Sequence, residues 1–383
     1  MDKEELNSGL GTRKTHELMR KLTKESRNEA KDKSMSRRRF GHERALEPVN
    51  YSFEEILSHC KASKFSEVIW LERLKSLLAN GEVNPDEFFK GNDGSLNLHS
   101  LANVISAGHA DAPTQTLAVH CSANLSPLSE KYGLQMARAV GPYLVTLLSG
   151  SSKALMEASA VSIGNLALSG YRVAKVLVNQ GCIKALCKDM NSSSNLYGLY
   201  HVLHSHIAEE NFAIDEANQV MDECILLLKK NAQKAPIELF WLLFLLSCDP
   251  NQHQKLSNED VINCFLDTCT YEIFQKSDPR PLVKVVTPLV RLLANLCGGP
   301  AASEKVCLII INHPDLTAIL MALLGTNYTH LVKETLWWFS NMINSESVVV
   351  QEQFVEMNIM DRLEYHTVQA VQKIDPYAPI ISH

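Results

Sequence analysis

The chain has 383 residues, 45% of them hydrophobic but only 7% aromatic, a balance that favours helix-on-helix packing over a sandwich or barrel. Its net charge of −6 is unevenly placed: twelve Lys/Arg stand against five Asp/Glu between Arg13 and Arg44, so residues 45–383 carry −11. An acidic body of this kind argues against direct binding to a nucleic-acid backbone, which needs lysines and arginines set against phosphates.

Residues 1–48 are polar, charged and nearly free of aromatics. Such a segment cannot bury enough apolar surface to offset the entropy of ordering itself, so we expect a disordered basic arm. Leu18 and Leu22, four apart, leave room for a helix formed on a partner. The N-terminal MDKEELNSGLGTRK has no apolar core and does not read as a secretory signal.

From Tyr51 onward the pattern is helical. SFEEILSHC and VIWLERLKSLLA place apolar residues at i, i+3 and i+4, and no strand alternation follows. A helix of small residues ending in Asn then recurs, in QTLAVHCSANLS, EASAVSIGNLALSG, VTPLVRLLANLCGG and KETLWWFSNMINSE. Its amides are Asn124, Asn165, Asn295 and Asn341; LYGLYHVLHSH, with His204, and IELFWLLFLLSC, with Leu245, fill the gap. The successive intervals are 41, 39, 41, 50 and 46 residues, the spacing of armadillo or HEAT units, none of which can bury its apolar face without a neighbour. Gly141 and Gly181 each precede an amphipathic helix and predict a sharp turn between the first and second helices of a unit. IELFWLLFLLSC is far shorter than the roughly 20 residues that span a bilayer and reads as a buried helix, with no membrane partner implied.

The ten cysteines contain no C-x-x-C pair and mostly sit in apolar helical runs, as reduced, buried residues of a cytosolic or nuclear protein would. His201 and His204 share a helical face while His206 points elsewhere, and no nearby Cys or carboxylate closes a ligand set, so no metal is expected. No phosphate-binding loop, dinucleotide fingerprint, nucleophile elbow or H-E-x-x-H is present, and no enzyme or cofactor is implied.

These residues resemble importin-α. In that family the third helix of each repeat carries a Trp-x-x-x-Asn pair facing a peptide groove. Trp337 with Asn341 matches the pair, Arg291 with Asn295 matches a repeat where Arg replaces Trp, and Trp241 with Leu245 matches one that keeps Trp without Asn. ESRNEAKDKSMSRRRF resembles the family's importin-β-binding segment, with Arg27, Lys31, Arg37, Arg38 and Arg39 at its basic positions, and SFEEIL and LERLKSLLA resemble the first helices of the first repeat. The resemblance implies an all-α, armadillo-repeat right-handed superhelical solenoid: residues 1–48 as the arm and 49–383 as about six full repeats and a partial seventh. It implies a nuclear import adaptor moving between cytoplasm and nucleus, with importin-β and proteins carrying basic nuclear localisation signals as partners. The cargo peptide would lie against His120, Asn124, Asn165, Tyr200, His204, Trp241, Arg291, Asn295, Trp337 and Asn341, and the arm would fold back on the groove when no cargo is bound.

The sequence departs from the pattern where the main cargo site would be. His120, Val161 and Tyr200 stand in the Trp positions of the first three repeats, and Ser169 replaces an expected acid. These losses suit a second expectation, an armadillo scaffold for protein–protein interaction that has lost conventional import-signal binding.

Overall fold

The structure, a computed structural model, describes residues 35–41, 51–80, 84–89, 94–106, 111–126, 129–208, 214–275, 282–298, 303–345 and 347–356, with 364 and 368. By internal packing the chain divides into residues 1–37 and 38–383. The helical array belongs to the second unit, together with the short extended stretch Arg38–Gly41. Among the described residues there is no strand.

The first helices are α1 (Phe53–Ala62) and α2 (Val68–Asn80). Ser52 and Glu55 close a reciprocal capping box that fixes where α1 begins. Next come α3 (Gly94–Ser106) and α4 (Ala112–Leu125), the latter capped by Asp111, whose side chain accepts from Thr114 N–H. Two units of three helices follow: α5 (Glu130–Ala139), α6 (Gly141–Leu147) and α7 (Lys153–Ala167), then α8 (Tyr171–Asn179), α9 (Cys182–Leu186) and α10 (Ser193–Ala208).

The C-terminal half contains α11 (Ile214–Asn231), α12 (Ile237–Leu246), α13 (His253–Leu256), α14 (Glu259–Thr270) and α15 (Leu282–Cys297). It ends with α16 (Ser303–Ile311), α17 (Leu316–Gly325), α18 (Thr329–Ile343) and α19 (Val348–Glu356).

The spine is a stack of third helices, α2–α4–α7–α10–α12–α15–α18, each packed on the next. The stack is close because small residues face it. A Cβ on Gly164 of α7 would stand 2.7 Å from the Tyr197 ring of α10, and one on Gly198 would stand 3.0 Å from the Ala160 carbonyl. One sequence expectation shifts here: α2, read as an early helix of the first repeat, stacks as a third helix, its Lys75 carbonyl accepting from Asn124.

The two predicted turn glycines act differently. Gly181 has φ of +84° and starts α9 from the left-handed region, as a sharp interhelical turn requires. Gly141 is the first residue of α6 and is absent from that region; the end of the Gln180 side chain lies where its Cβ would be.

IELFWLLFLLSC forms α12, buried over Glu238–Leu246. Among the described residues no single helix is long and apolar enough to cross a membrane; α16 and α17 are apolar together but meet at an 88° bend. Seven cysteines are buried, Cys187 and Cys264 are half-buried, and Cys248 departs from expectation by being exposed. Burial pushes the Cys60 and Cys269 thiols up to about 12, so they stay protonated and unreactive.

Candidate peptide groove

The third-helix amides tie the stack together before they can do anything else. Asn124 Nδ2 donates to the Lys75 carbonyl of α2 at 3.0 Å, Asn165 Nδ2 to the Ala123 carbonyl of α4 at 3.0 Å, and Asn341 Nδ2 to the Ala294 carbonyl of α15 at 2.9 Å. Asn295 reaches Ser247 Oγ at 2.9 Å instead. A carboxamide can donate twice and accept twice, so each amide retains hydrogen-bonding capacity after making this tie.

At two amides that capacity is used by Arg38–Phe40. Asn124 and Phe40 exchange a pair of bonds: Phe40 N–H donates to Asn124 Oδ1 at 2.9 Å and Asn124 Nδ2 donates to the Phe40 carbonyl at 2.9 Å. One repeat further, Asn165 Nδ2 donates to the Arg38 carbonyl at 2.8 Å, while its Oδ1 accepts from the Tyr197 hydroxyl at 2.7 Å. The Tyr197 oxygen accepts from Arg38 N–H at 3.3 Å. Asn165 and Tyr197 together thus do for Arg38 what Asn124 does alone for Phe40. Two residues of extended chain match one repeat, because residues i and i+2 face the same way. The segment runs against the repeat order, from α7 back to α4.

The side chains are held as specifically as the backbone. The Arg38 guanidinium lies 4.3 Å over the Tyr197 ring, donates to Ser193 Oγ at 3.3 Å and forms an ion pair with Glu238, from the first turn of α12. Arg39 points the other way and donates to the Ala79 carbonyl at 2.9 Å, at the C-terminal end of α2, where helix carbonyls lack intrahelical donors. Phe40 stacks on His120 with ring centroids 3.9 Å apart and planes 15° from parallel. Burial first, and the Lys75 charge second, hold His120 down to about 4, so the ring is neutral at pH 7.

The expected site residues are distributed unevenly. His120, Asn124 and Asn165 meet the extended segment. At the third rung, Tyr200 stacks on His204 at 5.8 Å, and the ring that meets the segment is Tyr197, three residues earlier. Tyr197, Ser193 and Glu238 were not singled out from the sequence. Gly164, which leaves room for the Tyr197 ring between the helices, is the signal for the first. Arg38 and Arg39, expected to contact importin-β, sit in the groove. Arg37 falls in the first unit, and Arg27 and Lys31 lie outside the described residues.

In the C-terminal half, Trp241 and Arg291 are only 2% and 5% exposed, and both bond within the stack. Pro288 lies inside α15 and has no N–H to give the Lys284 carbonyl four residues back. The Trp241 indole N–H fills that vacancy at 3.0 Å. Arg291 Nε pairs with Glu334 at 2.9 Å, with the guanidinium 5.8 Å from the Trp241 ring centroid. Asn295, Trp337 and Asn341 remain half-buried.

This arrangement predicts a rescue. Trp241→Phe should cost about 1–3 kcal/mol, chiefly by orphaning a buried carbonyl, and adding Pro288→Ala should recover much of it by restoring the helix bond. Denaturant titrations of the two single variants and the double variant check this; additive losses would refute it.

Among the described residues no three His, Cys, Asp or Glu side chains gather as a metal site. No family model matches the chain, and no curated protein matches it. Solved structures do. An engineered protein matches with a TM-score of 0.53 at 15% identity, over 84% of this chain and 87% of its own. A designed armadillo repeat protein matches with a TM-score of 0.51 at 12% identity, over 64% of this chain and 99% of its own. A structure of computationally designed armadillo repeat proteins for modular peptide recognition matches with a TM-score of 0.50 at 12% identity, over 64% and 99%. The helix stack and these likenesses agree on the architecture: residues 38–383 contain an armadillo-like helical repeat array.

Proposed function

We propose that this chain is an armadillo scaffold that binds other proteins by holding extended peptide segments along its third helices, and that it performs no chemistry. The carrying observation is the seating of Arg38–Phe40, whose backbone is read by Asn124, Asn165 and Tyr197. Bonds to main-chain atoms hold any extended chain, and side-chain slots then choose among them. The likeness to proteins designed for modular peptide recognition supports the same reading. The segment Arg38–Phe40 shares its chain with the groove and competes at high effective concentration with any outside peptide.

A labelled peptide copying residues 34–42 tests this. It should bind full-length chain carrying Arg38→Ala and Phe40→Ala at least about tenfold more tightly than the unmodified chain, because the internal competitor is weakened. Asn124→Ala with Asn165→Ala should remove the binding. Absence of binding to the arm-substituted chain would overturn the reading.

A narrower second reading is a nuclear import adaptor, working between cytoplasm and nucleus with importin-β and basic nuclear localisation signals as partners. The arginine slot closed by Glu238 favours it, as does the basic arm. Affinity purification with and without residues 1–48 tests it: importin-β should be recovered only with the arm. Equal recovery would refute arm-mediated binding, and recovery with neither form would remove importin-β as a partner.

A further inference from the structure

Resting on the peptide-binding reading above, we infer that the first two rungs select a specific class of ligand: an extended segment with arginine at one position and an aromatic ring two residues later, Arg-X-Phe, in preference to a purely basic run. The two slots have opposite electrostatic character, and each side chain in them meets groups that suit it alone.

The Arg38 slot is acidic and flat. Glu238, 8% exposed, supplies the counter-charge, Ser193 an acceptor and Tyr197 an aromatic face. A guanidinium donates in two directions while its plane lies on the ring; an ammonium on a flexible stem cannot reproduce both at once. The intervening residue faces the C-terminal carbonyls of α2, which favour but do not require a cation.

The Phe40 slot is the reverse. Its floor is the neutral His120 ring, 8% exposed, and Lys75 lies close enough to depress the protonation of that ring. A lysine or arginine laid here would meet a fixed positive charge, and neither residue that holds Phe40, Asn124 or His120, is a carboxylate. Aromatic stacking suits the site and like charge disfavours the alternative, so the slot discriminates by repulsion as well as attraction. His120, standing where a Trp was expected, thereby changes what the first rung accepts.

The test uses the full-length Arg38→Ala/Phe40→Ala chain and competing peptides copying residues 34–42. A peptide with Phe40→Tyr should compete within about threefold of the parent. Peptides with Phe40→Lys and with Arg38→Lys should each be weaker, the former by at least about tenfold. In chain also carrying Lys75→Met, the Phe40→Lys peptide should regain affinity relative to the parent peptide. If the Phe40→Lys peptide binds as tightly as the parent, the Arg-X-aromatic inference is wrong and the peptide-binding reading stands. If the parent peptide itself does not bind, the underlying reading falls.

Discussion

Glu334→Ala should destabilise the C-terminal repeats by about 3–5 kcal/mol, because it leaves a guanidinium buried without its counter-charge. Arg291 and Glu334 have side chains only 6% and 9% exposed, and their 2.9 Å bond joins α15 to α18. Among the described residues Glu334 Oε2 has no hydrogen-bond partner, so the carboxylate is not fully compensated even in place. A half-satisfied buried pair contributes little net stability, yet removing one partner is costly. Replacing both, as Arg291→Met with Glu334→Leu, should therefore restore most of what the single change removes. In a repeat array each unit contacts only its neighbours, so the damage should stay local. Hydrogen exchange should quicken across α15–α18 while α4, α7 and α10 keep their protection. A single-variant loss below about 1 kcal/mol, or a double variant no better than the single, would show that the pair is not the joint we describe.

Much of this architecture was legible because a stacked array repeats its own constraints. Asn124 and Asn165 stood out by their 41-residue phase, and the structure gives that phase a cause: each amide must reach the preceding third helix. Placement within a rung was harder to read. Tyr200 occupies the helical position of Val161, and the repeat phase alone does not point one turn earlier. Yet Tyr197 is the fully buried ring, held in the gap left by Gly164 and carrying its hydroxyl to Asn165.

Trp241 was hidden for a different reason. A Trp in a third helix has the composition of a groove wall, but here its indole N–H serves a carbonyl freed by Pro288, 47 positions along the chain. Such a pairing depends on how two helices are rotated against each other, which hydrophobic periodicity does not report. Glu238 is inconspicuous for a similar reason: it is one acid in the first turn of a helix, an ordinary complement to the helix dipole, and only its pairing with Arg38 sets it apart.

Asn165→Ala should have the other large effect, and it separates the two tasks of the amide. Asn165 is fully buried; its Nδ2 serves both Ala123 and Arg38 carbonyls and its Oδ1 takes the Tyr197 hydroxyl. Truncation leaves two carbonyls and one hydroxyl without this partner, and a buried polar group so stranded costs about 1–3 kcal/mol. Shared relaxation keeps the sum below full additivity, so the total should be about 2–4 kcal/mol. Part of that belongs to the helix stack and part to the seated segment. In the Arg38→Ala/Phe40→Ala background the segment's share is already weakened, so Asn165→Ala should cost about 1–2 kcal/mol less there. Urea titrations of the four chains give the coupling directly. Equal losses in both backgrounds would mean that Asn165 only fastens α7 to α4, and that its bond to Arg38 contributes nothing to holding an extended chain in the groove.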